Sequence, residues 1–274
     1  MRLNAGCVLN FEVSAPTPLI LMLRPRSGYG QWVAREEYVL APHVPVTEYT
    51  DNHGNLCQRL VAPEGEFSVR ATATVETPDV IDESPGAMFV LPAELPDYAL
   101  QFLLPSRYCQ SDQLGKLATE IAGDAMPGYD QVERIRTWIY QNIRYEYGTS
   151  NASTSAVDTT QSRVGVCRDF AHLGLALCRA LNIPARMVVG YLHNLKPMDL
   201  HAWFEAFVGW RWHTFDSTDK KTLGNRITIA YGRDAADVAL TTQFGPALLK
   251  EMHVWVNADS SNLSGLSGQS DEPK

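Results

Sequence analysis

The spacing of apolar residues changes character once along this chain, and that change limits what it can fold into. From Leu3 to about Pro78, apolar and polar residues alternate in short runs, as in Cys7-Val8-Leu9-Asn10-Phe11-Glu12-Val13 and Phe67-Ser68-Val69-Arg70-Ala71-Thr72-Ala73-Thr74-Val75. Leu19-Ile20-Leu21-Met22-Leu23 is a shorter, continuous apolar run. Successive strand side chains point to opposite faces, so such alternation marks strands with one buried face. Val46 to Thr50 and Leu56 to Val61 flank the turn-forming Asp51-Asn52-His53-Gly54-Asn55, which predicts a hairpin. Several such strands without a helical period predict an antiparallel β-sandwich over residues 1–95. The two prolines of Leu91-Pro92-Ala93-Glu94-Leu95-Pro96 then punctuate the chain, and helical spacing begins.

Beyond the prolines, Ser111 or Asp112 can cap a helix reaching about Ile121. Asp130 can cap a second, in which Val132, Ile135, Ile139 and Ile143 recur at helical spacing. Gly148 to Thr160, rich in Ser, Thr and Asn, reads as a loop. The expected organisation is an α+β fold with a second domain over 96–258 and a Gly/Ser-rich, disordered tail over 259–274.

A formal charge of -8 over 274 residues, with no Lys/Arg-rich run, argues against a nucleic acid or an anionic membrane surface as partner. The longest apolar run falls far short of the roughly 18 to 20 residues a membrane span needs, and the first residues lack the pattern of a secretion signal. Five cysteines without a CxxC pair leave at least one unpaired and suit a reducing, cytoplasmic setting. GxSxG, GxxxxGK[ST], GxGxxG and HExxH motifs are absent, which removes serine hydrolase, nucleotide-binding and zincin readings. His193, His201 and His213 are spaced unlike any familiar zinc site. No cofactor or metal is therefore expected.

The chemistry concentrates after residue 160. Phe170, Leu173, Leu177, Cys178 and Leu181 form a helical stripe closed by Asn182 and Pro184, so Cys167 stands in the helix's first turn. Free N–H groups and the positive end of the helix dipole favour a thiolate there, and Asp169 is expected to serve the same helix start. Cys178 reads as a small buried hydrophobe. His201 to Val208 connects through Gly209-Trp210 to Arg211 to Asp216, a tight hairpin. If Val208 opposes Arg211, His201 and Asp216 become same-face diagonal neighbours, roughly 7–8 Å apart at the backbone. His172, roughly 140° around the helix from Cys167, points elsewhere, and His213 faces the other side of its strand from Asp216. Nucleophile, base and orienter are then Cys167, His201 and Asp216. Trp203 is a candidate substrate contact, although Trp203, Trp210 and Trp212 also suit the core of the hairpin.

Gly165-Val166-Cys167-Arg168-Asp169-Phe170-Ala171-His172, Asn182-Ile183-Pro184-Ala185-Arg186, Gly190-Tyr191, His201-Ala202-Trp203 and Phe215-Asp216-Ser217-Thr218 resemble successive motifs of bacterial transglutaminase-like proteins. The first domain resembles the β-rich domain preceding the catalytic core in one branch of that family, as does Gly232-Arg233-Asp234 with Asp237-Val238. The resemblance implies a papain-like core, in which a helix carrying the nucleophile packs against an antiparallel sheet carrying base and acid. It also implies thiol attack on a peptide or carboxamide carbonyl, giving a thioester that water or an amine resolves. Gln161 stands six residues before Cys167, where papain-like proteases place an oxyanion glutamine; the backbone N–H of Cys167 is the other donor. The expected function is a cysteine hydrolase, peptidase or amidase, acting on a peptide or protein substrate. An acyltransferase joining Gln to Lys would use the same residues, and a non-catalytic peptide-binding module would be marked by a missing triad member, which this chain does not show.

Overall fold

The computed structural model describes residues 1–28 and 30–259, so the expected tail lies, from residue 260 onward, outside the described residues. Its first part contains β1 (Arg2–Val13), β2 (Thr17–Leu21), β3 (Trp32–Ala41), β4 (Thr47–Thr50), β5 (Leu56–Ala62) and β6 (Gly65–Glu76). The alternating residues meet as the period-two pattern requires. Leu3, Ala5, Cys7, Leu9 and Phe11 of β1 oppose Val75, Ala73, Ala71, Val69 and Phe67 of β6, and all ten are buried. Burying a side chain of Leu or Phe size stabilises the fold by about 1.5–3 kcal/mol, which makes a slip of one residue prohibitive. The hairpin forms as read, with Thr50 opposite Leu56 and Thr47 opposite Arg59. The Asp51 carboxylate accepts the His53 and Asn55 N–H groups across the turn.

The middle of the chain supplies α1 (Asp97–Leu100), α2 (Gly115–Ala122), α3 (Tyr129–Asn142), β7 (Arg144–Tyr145), α4 (Ala156–Ser162), β8 (Val164–Gly165) and α5 (Cys167–Ala180). Three local expectations change. Ser111 opens a short 3-10 turn instead of the helix. Gly128, not Asp130, stands at the start of α3, and the Asp130 carboxylate accepts the Gly86 N–H. The expected loop at 148–160 ends in α4, because Ser155 and Asp158 cap each other's backbone N–H.

The chain closes with β9 (Ala185–Leu192), β10 (His201–Val208), β11 (Arg211–Phe215), β12 (Arg226–Gly232), β13 (Thr241–Gln243) and β14 (Ala247–Ala258). The antiparallel order β11-β10-β9-β12 forms the sheet on which α5 packs. Central β9 is buried throughout. Gly174 lets α5 approach β10, since a Cβ there would lie 2.5 Å from the Phe204 ring. Residues 241–258, assigned to the second domain by the boundary near residue 95, instead join the first. β14 pairs with β1, completing β14-β1-β6-β3, and β13 pairs with β2, completing β13-β2-β5-β4. Val254 and Val256 of β14 extend the sandwich core.

Two side-chain amides join sandwich to core. Gln31 bonds both the N–H and the C=O of Thr228, each at 2.8 Å. Asn55 does the same to Tyr231, at 3.0 and 2.9 Å. Both targets lie on β12, the edge of the core sheet, so the amides take the place of a neighbouring strand. Among the described residues, no helix is long and apolar enough to cross a membrane.

Candidate active site

Cys167 begins α5, directly after Val166 at the cap position. The Asp169 carboxylate, fully buried, accepts the Val166 N–H at 2.9 Å and is held by Arg168 at 3.0 Å, so Asp169 does serve the helix start. Gly165 makes room for that cap: a Cβ there would lie 2.7 Å from the Asp169 Cβ. Tyr145 stands opposite Gly165 in the parallel pairing of β7 with β8. Cys167 is half-buried, whereas Cys7, Cys57, Cys109 and Cys178 are buried, and all five are unpaired. Burial pushes the Cys109 thiol up to about 12 and raises that of Cys178 further. Of the five, Cys167 alone is partly exposed.

The β10–β11 hairpin has the expected register, with Val208 opposite Arg211 and Phe204 opposite Phe215. Gly209 and Trp210 form its two-residue turn with φ of +55° and +66°, the positive values that a strand-matched turn demands. One step beyond this register, His201 Nε2 and Asp216 Oδ2 lie 2.7 Å apart, both side chains buried. Thr218 donates its N–H and its hydroxyl to Asp216 Oδ1. Arg226 donates from Nη2 to Asp216 Oδ2 at 2.7 Å.

Burial raises the Asp216 carboxyl, but the Arg226 and His201 charges and the hydrogen bonds of His201 and Thr218 outweigh it, so Asp216 stays ionised far below the usual carboxylate range. Burial disfavours the His201 cation, yet the charge and hydrogen bond of Asp216, aided by a hydrogen bond with Cys167, raise this imidazole to about 9. Nε2 faces Asp216, which leaves Nδ1 as the ring nitrogen for the sulfur. The three residues named from the sequence thus meet at one imidazole.

The remaining candidates sit elsewhere. Gln161 is exposed at the end of α4. Trp203 is 2% exposed and lies beneath the site, its ring stacked 6.2 Å from that of His201, so it is a floor and not a rim. Trp210 is exposed in the hairpin turn. His172 is buried against Tyr108 and accepts the Ala235 N–H, and burial lowers it to about 4. His213 packs edge-on against Tyr129, and burial lowers it. The Gly232-Arg233-Asp234 stretch staples the core: buried Asp234 accepts the Tyr108 and Ala236 N–H groups, while Arg233 pairs with Asp237.

Sequence reasoning missed Arg226 and Tyr145. Arg226 opens a strand after an irregular segment, so no hairpin arithmetic links it to Asp216. Tyr145 lies beside Cys167, whose charge joins burial in raising the tyrosine hydroxyl; only the β7–β8 pairing brings it there. A cavity of about 350 Å³ opens beside these groups, lined by Tyr145, Tyr147, Lys196, His201, Asp216 and Arg226 among others.

A helix-borne cysteine beside an antiparallel sheet carrying a His–Asp pair is the architecture of the papain-like thiol folds. The sequence pattern of the Transglutaminase-like superfamily matches residues 115–217, a span containing Cys167, His201 and Asp216. The solved structure of a candidate cysteine protease from Cytophaga hutchinsonii is 42% identical, covers 94% of this chain and 90% of its own, and superposes with a TM-score of 0.88. An uncharacterised protein of Mycobacterium leprae is 29% identical over 233 residues, 79% of this chain and 82% of its own. One from Mycobacterium tuberculosis is 27% identical over 248 residues, 79% and 77% of the two chains. The chain belongs to the transglutaminase-like superfamily.

Proposed function

We propose that this protein is a cysteine-dependent hydrolase, a peptidase or amidase that opens peptide or carboxamide bonds through a thioester. The observation that carries the reading is the buried 2.7 Å His201–Asp216 pair, set against the one half-exposed thiol of the chain. In the reaction, the Cys167 sulfur bonds to the carbonyl carbon and the C=O electron pair moves onto oxygen. The backbone N–H of Cys167 at the helix start receives that oxyanion. The His201 imidazolium then protonates the departing amine, the C–N bond breaks, and a thioester remains. His201, now neutral, takes a proton from water as it attacks, and the acid leaves with the sulfur restored. Asp216 keeps the imidazole oriented throughout.

Water is the favoured acceptor because the cavity beside His201 opens to solvent past the exposed Tyr147. The resemblance to a candidate cysteine protease over nearly the whole chain supports the same choice. The five unpaired cysteines suit a reducing, cytoplasmic setting. The test is a panel of peptides and carboxamides incubated with wild type and Cys167→Ala, with and without methylamine, and products read by mass spectrometry. Free acid formed by wild type alone is expected. Methylamide as the main product would make the protein an acyltransferase, and no turnover across the panel would leave a binding module.

A further inference from the structure

We infer that Arg226 is a positioning residue of this site: its guanidinium fixes the Asp216 carboxylate for His201 and balances the charge of the reacting cluster. The inference rests on the roles proposed above for Cys167, His201 and Asp216. Arg226 is the first residue of β12 and pairs with Leu192 of β9. Its side chain is only 6% exposed. Three contacts hold it: Nη2 donates to Asp216 Oδ2 at 2.7 Å, Nε donates to the Leu223 carbonyl at 2.7 Å, and the guanidinium lies 5.0 Å over the Trp203 ring. The oxygen it holds is the one facing His201 Nε2, and Thr218 occupies the other. Every face of the carboxylate is thereby assigned, and it cannot rotate away from the imidazole without breaking a charged bond.

The charges close as well. In the reacting state, thiolate and carboxylate carry two negative charges, imidazolium and guanidinium two positive. The other titratable groups facing this cluster are Tyr145 and Tyr147, and, across the cavity, Lys196 and Asp219. Without Arg226 the buried cluster carries one excess negative charge. The imidazolium then gives up its proton less readily to the leaving amine, and the thiolate is disfavoured. Arg226 thus offsets the pull of Asp216 on His201 while leaving Asp216 to orient the ring.

A structural strut and a charge-balancing group differ in one readout, the titration of His201. It is followed by NMR of the imidazole in wild type, Arg226→Met, Arg226→Lys and Asp216→Asn, alongside kcat and KM. Loss of the guanidinium should move the His201 midpoint up by about one pH unit, opposite to the downward move of Asp216→Asn. It should also lower kcat roughly 10- to 100-fold with KM little changed. Arg226→Lys keeps the charge without the fork, so it should return the midpoint to wild type while kcat stays low. If Arg226→Met does not fold, the lysine variant decides alone: a wild-type midpoint with lowered kcat supports the inference, and wild-type kcat overturns it. An unmoved midpoint in a folded Arg226→Met also overturns it. The titration needs no turnover, so a protein inactive on every substrate would defeat the proposed function while still testing Arg226.

Discussion

At Cys167 three influences converge on one sulfur: the open N–H groups of a helix start, the imidazole of His201, and partial exposure that no other cysteine here shares. A pH dependence follows from the raised His201. Its cation persists up to about 9 and is lost above, so acyl transfer, which needs that proton for the leaving amine, should fall as pH rises through about 9. Because the thiol contributes to holding the imidazolium, Cys167→Ala should lower the NMR midpoint of His201. Stability follows the same sign. The His201 contribution is complete below about 6.5, the ordinary histidine value, and disappears as pH rises through about 9. Asp216, held low, contributes above about 4 and loses its contribution only on strong acidification. Thermal unfolding against pH in wild type and His201→Gln checks this: the decline between about 6.5 and 9 should be present in the first and absent in the second. Asp216→Asn should lower kcat on the order of 10⁴-fold, the scale of losing the orienting carboxylate in a triad.

Among the elements, α5 and the β10–β11 hairpin were legible because their signals are local. A stripe of period 3.6 and a two-residue turn fix which face each residue takes, and that arithmetic brought His201 to Asp216. β3 was not legible: most of its side chains are exposed, and a register shift between Val33 and Arg35 breaks the alternation. α4 is hidden in a polar stretch because its Ser155–Asp158 cap has the composition of a loop. Arg226 was invisible for a different reason, since its partner is set by the order of strands across the sheet and not by spacing along the chain. The amide contacts to β12 belong to the same tertiary class. Asn55→Leu should remove both hydrogen bonds to the Tyr231 backbone, costing about 0.5–1.5 kcal/mol for each, measured by urea unfolding. Gly174→Ala should cost about 1–3 kcal/mol by pressing a methyl group against Phe204.

Over the whole molecule, the two ends of the described chain build one sandwich and the segment between them builds the core with the site. Of the first six strands all but β3 were legible as short apolar or alternating runs, and β14 was not, because its buried residues are confined to its two ends: Ala247 at one, Val254 and Val256 at the other. The partition at residue 95 is therefore crossed by β13 and β14. A chain ending at residue 240 should bare the long edge of β1 and aggregate or lose cooperative unfolding, whereas one ending at residue 259 should not; a monomeric, cooperative shorter chain would contradict this. The sandwich in turn covers the free edge of β12, the strand that begins with Arg226, so the site depends on both halves of the molecule. That Cys167 and His201 act as one unit is the central claim, and the rate at which iodoacetamide alkylates Cys167 at pH 6 tests it most directly. Wild type should react about tenfold or more faster than His201→Ala, because His201, hydrogen-bonded to Cys167, activates the sulfur as a nucleophile and alanine cannot. Equal rates in the two proteins would contradict the account.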